Sequence, residues 1–91
     1  MSKDKLKNLR SKIDKIDSDL LKLIQRRASL AVDIGKIKSK ISPNTSFYKP
    51  DREANILRNI LKANENGALS NTKVRSIYKE LISGCLSLEE A

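Results

Sequence analysis

The sequence predicts an all-α fold of three helices: one very long, one short and one of medium length. Three observations carry this. From Leu6 to Ile41 apolar residues recur at alternating spacings of three and four, which is the mark of a helix with a single apolar seam. No proline precedes Pro43, and Gly35 is the only glycine before Gly67, so nothing ahead of Ser42 forces a break. No stretch alternates apolar and polar residues as a strand would, and there is neither an internal repeat nor a low-complexity tract.

The first helix is expected from about Lys3 to Ile41. Ser2 suits its N-cap and Asp4 its positive first turn, while Lys36, Lys38 and Lys40 suit its last turns. Its seam runs Leu6, Leu9, Ile13, Ile16, Leu20, Leu23, Arg27, Leu30, Ile34, Ile37, Ile41. Arg27 is the exception, a guanidinium in an apolar line. Lys38 follows eleven residues later, three helical turns, and faces nearly the same way. The bland explanation is that both lay their stems on the seam and keep their charges in water.

Such a helix, of about 38 residues, is roughly 57 Å long. A compact chain of this size has a radius of gyration near 12 Å and a diameter of only about 30 Å. The rest of the chain cannot wrap the helix, so the seam calls for a partner, most simply a second copy about a two-fold axis.

Ser42-Pro43-Asn44-Thr45-Ser46 is a connector of turn formers. Pro50 suits the first turn of a second helix, with Asp51 and Glu53 near its positive end. That helix should reach about Asn64 and bury Ile56, Leu57, Ile60 and Leu61, before the stop signal Asn66-Gly67. Ser70 or Asn71 caps a third helix carrying Val74, Ile77, Tyr78, Leu81, Cys85 and Leu88 at three and four spacing.

Composition bounds the function. Ninety-one residues make one domain, 1–91. With 38% hydrophobic and 3% aromatic residues the core is aliphatic and modest, which again favours an oligomer. The chain has no histidine, which excludes imidazole acid–base catalysis and the usual zinc sites. A single cysteine, Cys85, fits a reducing cytoplasm, and no leader or membrane-length apolar run is evident. The net charge of +8 invites a nucleic-acid reading, yet the cations form no block, and only Phe47, Tyr48 and Tyr78 could stack on bases. An anionic small molecule needs only a few inward-facing cations.

Further polar residues share faces with core positions. Glu53 precedes Ile56 and Leu57 by three and four, Arg52 precedes Ile56 by four, and Glu89 follows Cys85 by four. Singly, each reads blandly: Glu53 as a helix-dipole carboxylate, Arg52 and Glu89 as surface charges, Cys85 as a small core residue. Together, Arg27, Lys38, Arg52, Glu53 and Glu89 could line one pocket among the helices. Buried charge of that kind is costly unless partnered, and a bound dianion with a hydroxyl would partner all of it.

The residues also resemble a known family. Leu9-Arg10-Ser11-Lys12-Ile13-Asp14, Ile16-Asp17, Leu20-Leu21-Lys22-Leu23-Ile24, Arg26-Arg27 and Val32-Asp33-Ile34-Gly35-Lys36-Ile37-Lys38 are similar to the all-helical chorismate mutases of bacterial type. So are Tyr48-Lys49-Pro50-Asp51-Arg52-Glu53 and Ile77-Tyr78-Lys79-Glu80-Leu81-Ile82, so that the likeness covers about residues 5 to 90. The resemblance implies an intertwined homodimer of three-helix chains whose long first helices span both active sites. It implies conversion of chorismate to prephenate, toward phenylalanine and tyrosine, by a unimolecular pericyclic step that needs no nucleophile, metal or cofactor. Catalysis then reduces to holding a folded conformer and stabilising charge on the ether oxygen.

Residue by residue, the resemblance gives Arg27 one substrate carboxylate and Arg10, from the other chain, the second. Guanidinium suits both, since it binds carboxylate bidentately. Lys38 would contact the ether oxygen and a carboxylate, Glu53 would accept a hydrogen bond from the ring hydroxyl, and Arg52 would help frame that end. Glu89 falls where the family carries Gln or Glu, directed at the ether oxygen. Two positions depart: Cys85 stands where a serine contacts a carboxylate, and Lys49 where an acidic residue lies near the ring hydroxyl. The competing functions are isochorismate pyruvate-lyase on the same fold, and a helical interaction or nucleic-acid-binding module.

Overall fold

The computed structural model describes residues 2–41 and 49–90. The expected connector, with Phe47 and Tyr48, lies outside the described residues. Three helices follow in order: α1 (Ser2–Ile41), α2 (Pro50–Ala63) and α3 (Asn71–Glu90). Ser2 lies within α1, not ahead of it as an N-cap, and α2 stops one residue before Asn64.

α1 is a single helix of 40 residues, about 60 Å at 1.5 Å per residue. The molecule is accordingly 61 Å long but only 23 Å and 15 Å in its other dimensions. Its radius of gyration, 17.2 Å, is well above the roughly 12 Å of a compact chain this size. α3 packs on α1, and α2 packs on α3. Throughout the seam from Leu6 to Leu23 the apolar side chains are exposed, Ile16 by 61%.

The face of α1 that receives α3 is not the seam. Ala31 and Gly35 are buried there, with Ala28 and Lys38 half-buried. Each lies one residue after a seam position (Leu30, Ile34, Arg27, Ile37), a rotation of about 100° around the helix. Small side chains on this second stripe let the helices approach, and the seam itself stays open even beside α3: Leu30 and Ile37 are both exposed. Among the described residues the enclosed core is correspondingly slight: Ala31, Leu57, Val74, Ile82 and Cys85.

On α3, Val74 and Cys85 are buried as the spacing predicts, and Tyr78 and Leu81 are half-buried. Ile77 and Leu88 are exposed, and Ile82 is buried in their stead. α3 has neighbours on two sides, so its buried surface is broader than one seam and takes in the residue after Leu81. α2 buries Leu57, with Ile56, Ile60 and Leu61 half-buried, as expected from their spacing.

Local chemistry sets the helix ends. Pro50 opens α2, and the Glu53 N–H donates to the Lys49 carbonyl at 3.1 Å. At its far end the Asn64 N–H donates to the carbonyls of Ile60 and Leu61, while the Asn64 side-chain amide donates to Leu69 O and Asn71 Oδ1. The stop signal works through Asn66, which takes a left-handed φ of 64°, a conformation asparagine tolerates better than most residues. Ser70 is the cap of α3: its Oγ accepts the Lys73 N–H at 3.3 Å. Among the described residues no helix is long and apolar enough to cross a membrane.

Removing the Ser70 hydroxyl leaves an orphan N–H in the first turn of α3. Ser70→Ala should therefore lower stability by about 1 kcal/mol, read as a lower urea midpoint with an unchanged denaturant slope.

Candidate active site

Where α1, α2 and α3 converge they enclose a cleft of about 450 Å³, within the range of small-molecule sites. Helical spacing explains who faces it. Arg27, Ala31, Ile34 and Lys38 descend one side of α1 at steps of four, three and four, with Leu30 beside them. Arg52, Glu53 and Ile56 occupy one turn of α2, and Lys49 immediately precedes that helix. Ile82, Cys85, Leu86 and Glu89 present one face of α3.

Thus Arg27, Lys38, Arg52, Glu53, Cys85 and Glu89, far apart in sequence, line a single pocket. The floor is apolar, with Ala31, Ile82 and the free thiol of Cys85 buried. Charge is carried above it. Lys38 Nζ donates to Glu89 Oε1 at 3.2 Å, joining the end of α1 to the end of α3, with the Glu89 side chain only 17% exposed. Arg27 and Glu53 are half-buried, and Arg52 and Lys49 are exposed at the rim. Glu53 lies in the first turn of α2, where the helix dipole favours a carboxylate.

Among the described residues, four cations thus face two carboxylates, a surplus of two positive charges in one cleft. Such a site suits a small dianion: guanidinium and ammonium groups to hold its charges, an acceptor for a hydroxyl, and an apolar floor under its carbon frame.

Arg10 is not part of this cleft. It lies 17 residues before Arg27, about 26 Å along the same helix, exposed beside Lys3, Leu6, Lys7, Ser11 and Asp14 in a shallow groove. The sequence marks Lys49 only as a departure from the family pattern near the ring hydroxyl, and it does not assign the apolar lining to the site. The signal for Lys49 is its place: three and four residues before Arg52 and Glu53, it shares their side of α2. Ala31 and Ile34 could have been found as the residues bridging Arg27 to Lys38 at helical spacing.

Comparison with known proteins gives the chain a family and relatives. The chorismate mutase type II family matches residues 9–90. A bifunctional chorismate mutase/prephenate dehydratase of Aquifex aeolicus (strain VF5) is 43% identical over 96% of this chain and 24% of its own length. One of the same description from Pseudomonas aeruginosa is 40% identical over the same shares. A chorismate mutase of Methanocaldococcus jannaschii is 42% identical over 65% of this chain and 58% of its own length. The chain spans about a quarter of the length of the bifunctional relatives it matches.

Proposed function

The chain belongs to the chorismate mutase type II family, and we propose that it is a single catalytic domain converting chorismate to prephenate in the cleft among α1, α2 and α3. The observation that carries this is the surplus of two cations over an apolar floor, with Lys38 and Glu89 paired across it. Chorismate is a dicarboxylate with a ring hydroxyl and an ether oxygen, and one carboxylate, the hydroxyl and the ether oxygen each have a counterpart among these residues.

In the rearrangement the ether C–O bond breaks as a new C–C bond forms within the same molecule, and negative charge gathers on the ether oxygen. No proton or group need be transferred to the protein. The residues act by restraint and electrostatics. Arg27 binds one carboxylate with its guanidinium fork. Lys38 donates to the ether oxygen and to a carboxylate, its ammonium already directed into the cleft by Glu89. Glu53 accepts a hydrogen bond from the ring hydroxyl, and Arg52 closes that end. Cys85, on the floor, supplies packing and at most a weak S–H donor. Each tenfold in rate is about 1.36 kcal/mol of barrier, so a few charge-assisted hydrogen bonds in a dry cleft are of the right size. A reducing compartment such as the cytoplasm suits the free thiol; neither nucleic acid nor membrane enters the reaction.

The second carboxylate is bound by Arg10 of a second copy, in a homodimer whose chains share their sites. Two facts support this: Arg10 is too far along α1 to serve its own cleft, and the seam beside it, Leu6 to Leu23, is apolar and exposed. Packing that seam against its equivalent would complete the core that one chain lacks.

Arg27→Ala removes a bidentate carboxylate partner while placing an apolar residue at a seam position. Chorismate consumption, followed by loss of its absorbance, should fall by about a hundredfold or more, the scale for losing one preorganised donor. The urea midpoint should barely move. Near-normal turnover would mean that Arg27 merely lies along the seam with its charge in water.

A carboxylate aimed at an ether oxygen gaining negative charge is repulsive; only the protonated acid donates there. Glu89→Gln keeps the size of the side chain and supplies a neutral N–H donor, so its kcat/KM should equal or exceed that of the wild type; a steep loss would mean that Glu89 acts by holding Lys38, leaving Lys38 alone as the ether-oxygen donor.

A further inference from the structure

Gly35 is where α1 and α3 all but touch. A Cβ built on it would lie 2.5 Å from the Glu89 carbonyl oxygen, 2.9 Å from the Glu89 Cα and 3.1 Å from the Glu89 carbonyl carbon. All three are backbone atoms, so no side chain can swing aside to make room. Gly35 has no positive φ, so what the position requires is absence of bulk and not conformational freedom. Gly84, in the middle of α3, has nothing within 4 Å of the same hypothetical atom. The requirement therefore belongs to one crossing point and not to glycine in these helices generally.

The residue that sits against Gly35 is also the residue whose side chain reaches Lys38, at 3.2 Å. Lys38 in turn lies three residues beyond Gly35, one turn along the same helix. The crossing thus fixes both ends of the pair that faces the ether oxygen in the function proposed above. We infer that Gly35 is a positioning residue: by letting the last turn of α3 seat directly on α1, it holds the Glu89 carboxyl and the Lys38 ammonium in register across the cleft. This inference rests on the chorismate mutase reading. To reach an ordinary contact of 3.4 Å, a Cβ at residue 35 would push the last turn of α3 outward by about 0.9 Å. Displacements of about 1 Å at a reacting centre are enough to cost up to a hundredfold in rate. Of the groups assigned to the carboxylates and the ring hydroxyl, Lys38 lies at the crossing, whereas Arg27, eight residues away on α1, and Arg52 and Glu53, on α2, lie outside it. The defect should therefore fall on turnover more than on binding.

The test is a double-mutant cycle on steady-state chorismate turnover, with Gly35→Ala introduced into the wild type and into Glu89→Ala. Gly35→Ala should lower kcat by about tenfold or more with KM within about threefold. In the Glu89→Ala background, where no carboxyl is left to misplace, the same change should lower kcat by less than about twofold. Gly84→Ala, the matched control, should leave both constants near those of the wild type. The inference is overturned by a Gly35→Ala kcat within twofold of the wild type, or by equal losses in both backgrounds. Loss of the helical circular dichroism signal in Gly35→Ala would also overturn it, since Gly35 would then support the bundle as a whole and not the placement of Glu89. A wild-type chain that does not consume chorismate is a different result: it sinks the functional reading, and this inference with it.

Discussion

The length of α1 governs everything else in this molecule. A helix of 40 residues, about 60 Å from end to end, cannot be enclosed by two helices of 14 and 20 residues. The chain therefore spends only part of α1 on itself. That part carries Ala28, Ala31, Gly35 and Lys38, receives α3, and with α2 forms the cleft. The remainder carries Arg10 and a line of exposed leucines and isoleucines. Hydrophobic burial of order 25 cal/mol per Å² is forfeited along that line in an isolated chain. In the proposed homodimer, a second α1 laid along the first supplies both the missing burial and the second arginine of the site.

The cleft combines two properties that rarely coexist without function. Its floor is apolar and buried, which strengthens every charge interaction above it, and its walls hold more cations than carboxylates. Lys38 and Glu89 meet between helices whose approach is fixed by the lack of a side chain at Gly35. A pair this exposed, 36% for the Lys38 side chain, contributes little to stability. In the proposed reaction its value lies in orientation. In a reaction that asks of the protein only a fixed substrate conformer and a donor at one oxygen, orientation is most of what a side chain can contribute.

Much of this was legible in the sequence because helical periodicity is a strong signal. The three helices follow from the spacing of Leu6 to Ile41, from Pro50, and from Ser70 before Val74. Arg27 stood out as a charge in an apolar line, and Lys38 as its neighbour three turns on. What was not legible is which stripe of α1 each partner covers. Large apolar residues mark the seam, whereas α3 docks on the small residues one position further, and small residues leave no mark in an apolar count. For the same reason Ile82 was passed over in favour of Ile77 and Leu88: a helix with neighbours on two sides has a wider buried arc than a single seam. The part of Gly35 is invisible in sequence, since an unbroken helix gives no reason to expect a contact at its one glycine. Lys49 was visible only as a departure from the family pattern, and its place at the rim follows from Pro50 beginning α2 directly after it.

In the proposed homodimer each site is assembled from two chains, an arrangement that subunit complementation reads out. Arg10→Ala and Arg27→Ala are each purified, found inactive, then unfolded together and refolded as a mixture. A mixed dimer holds one site with both arginines and one with neither, so random pairing should restore about a quarter of wild-type turnover. Activity no greater than that of the two variants refolded separately would contradict a shared site.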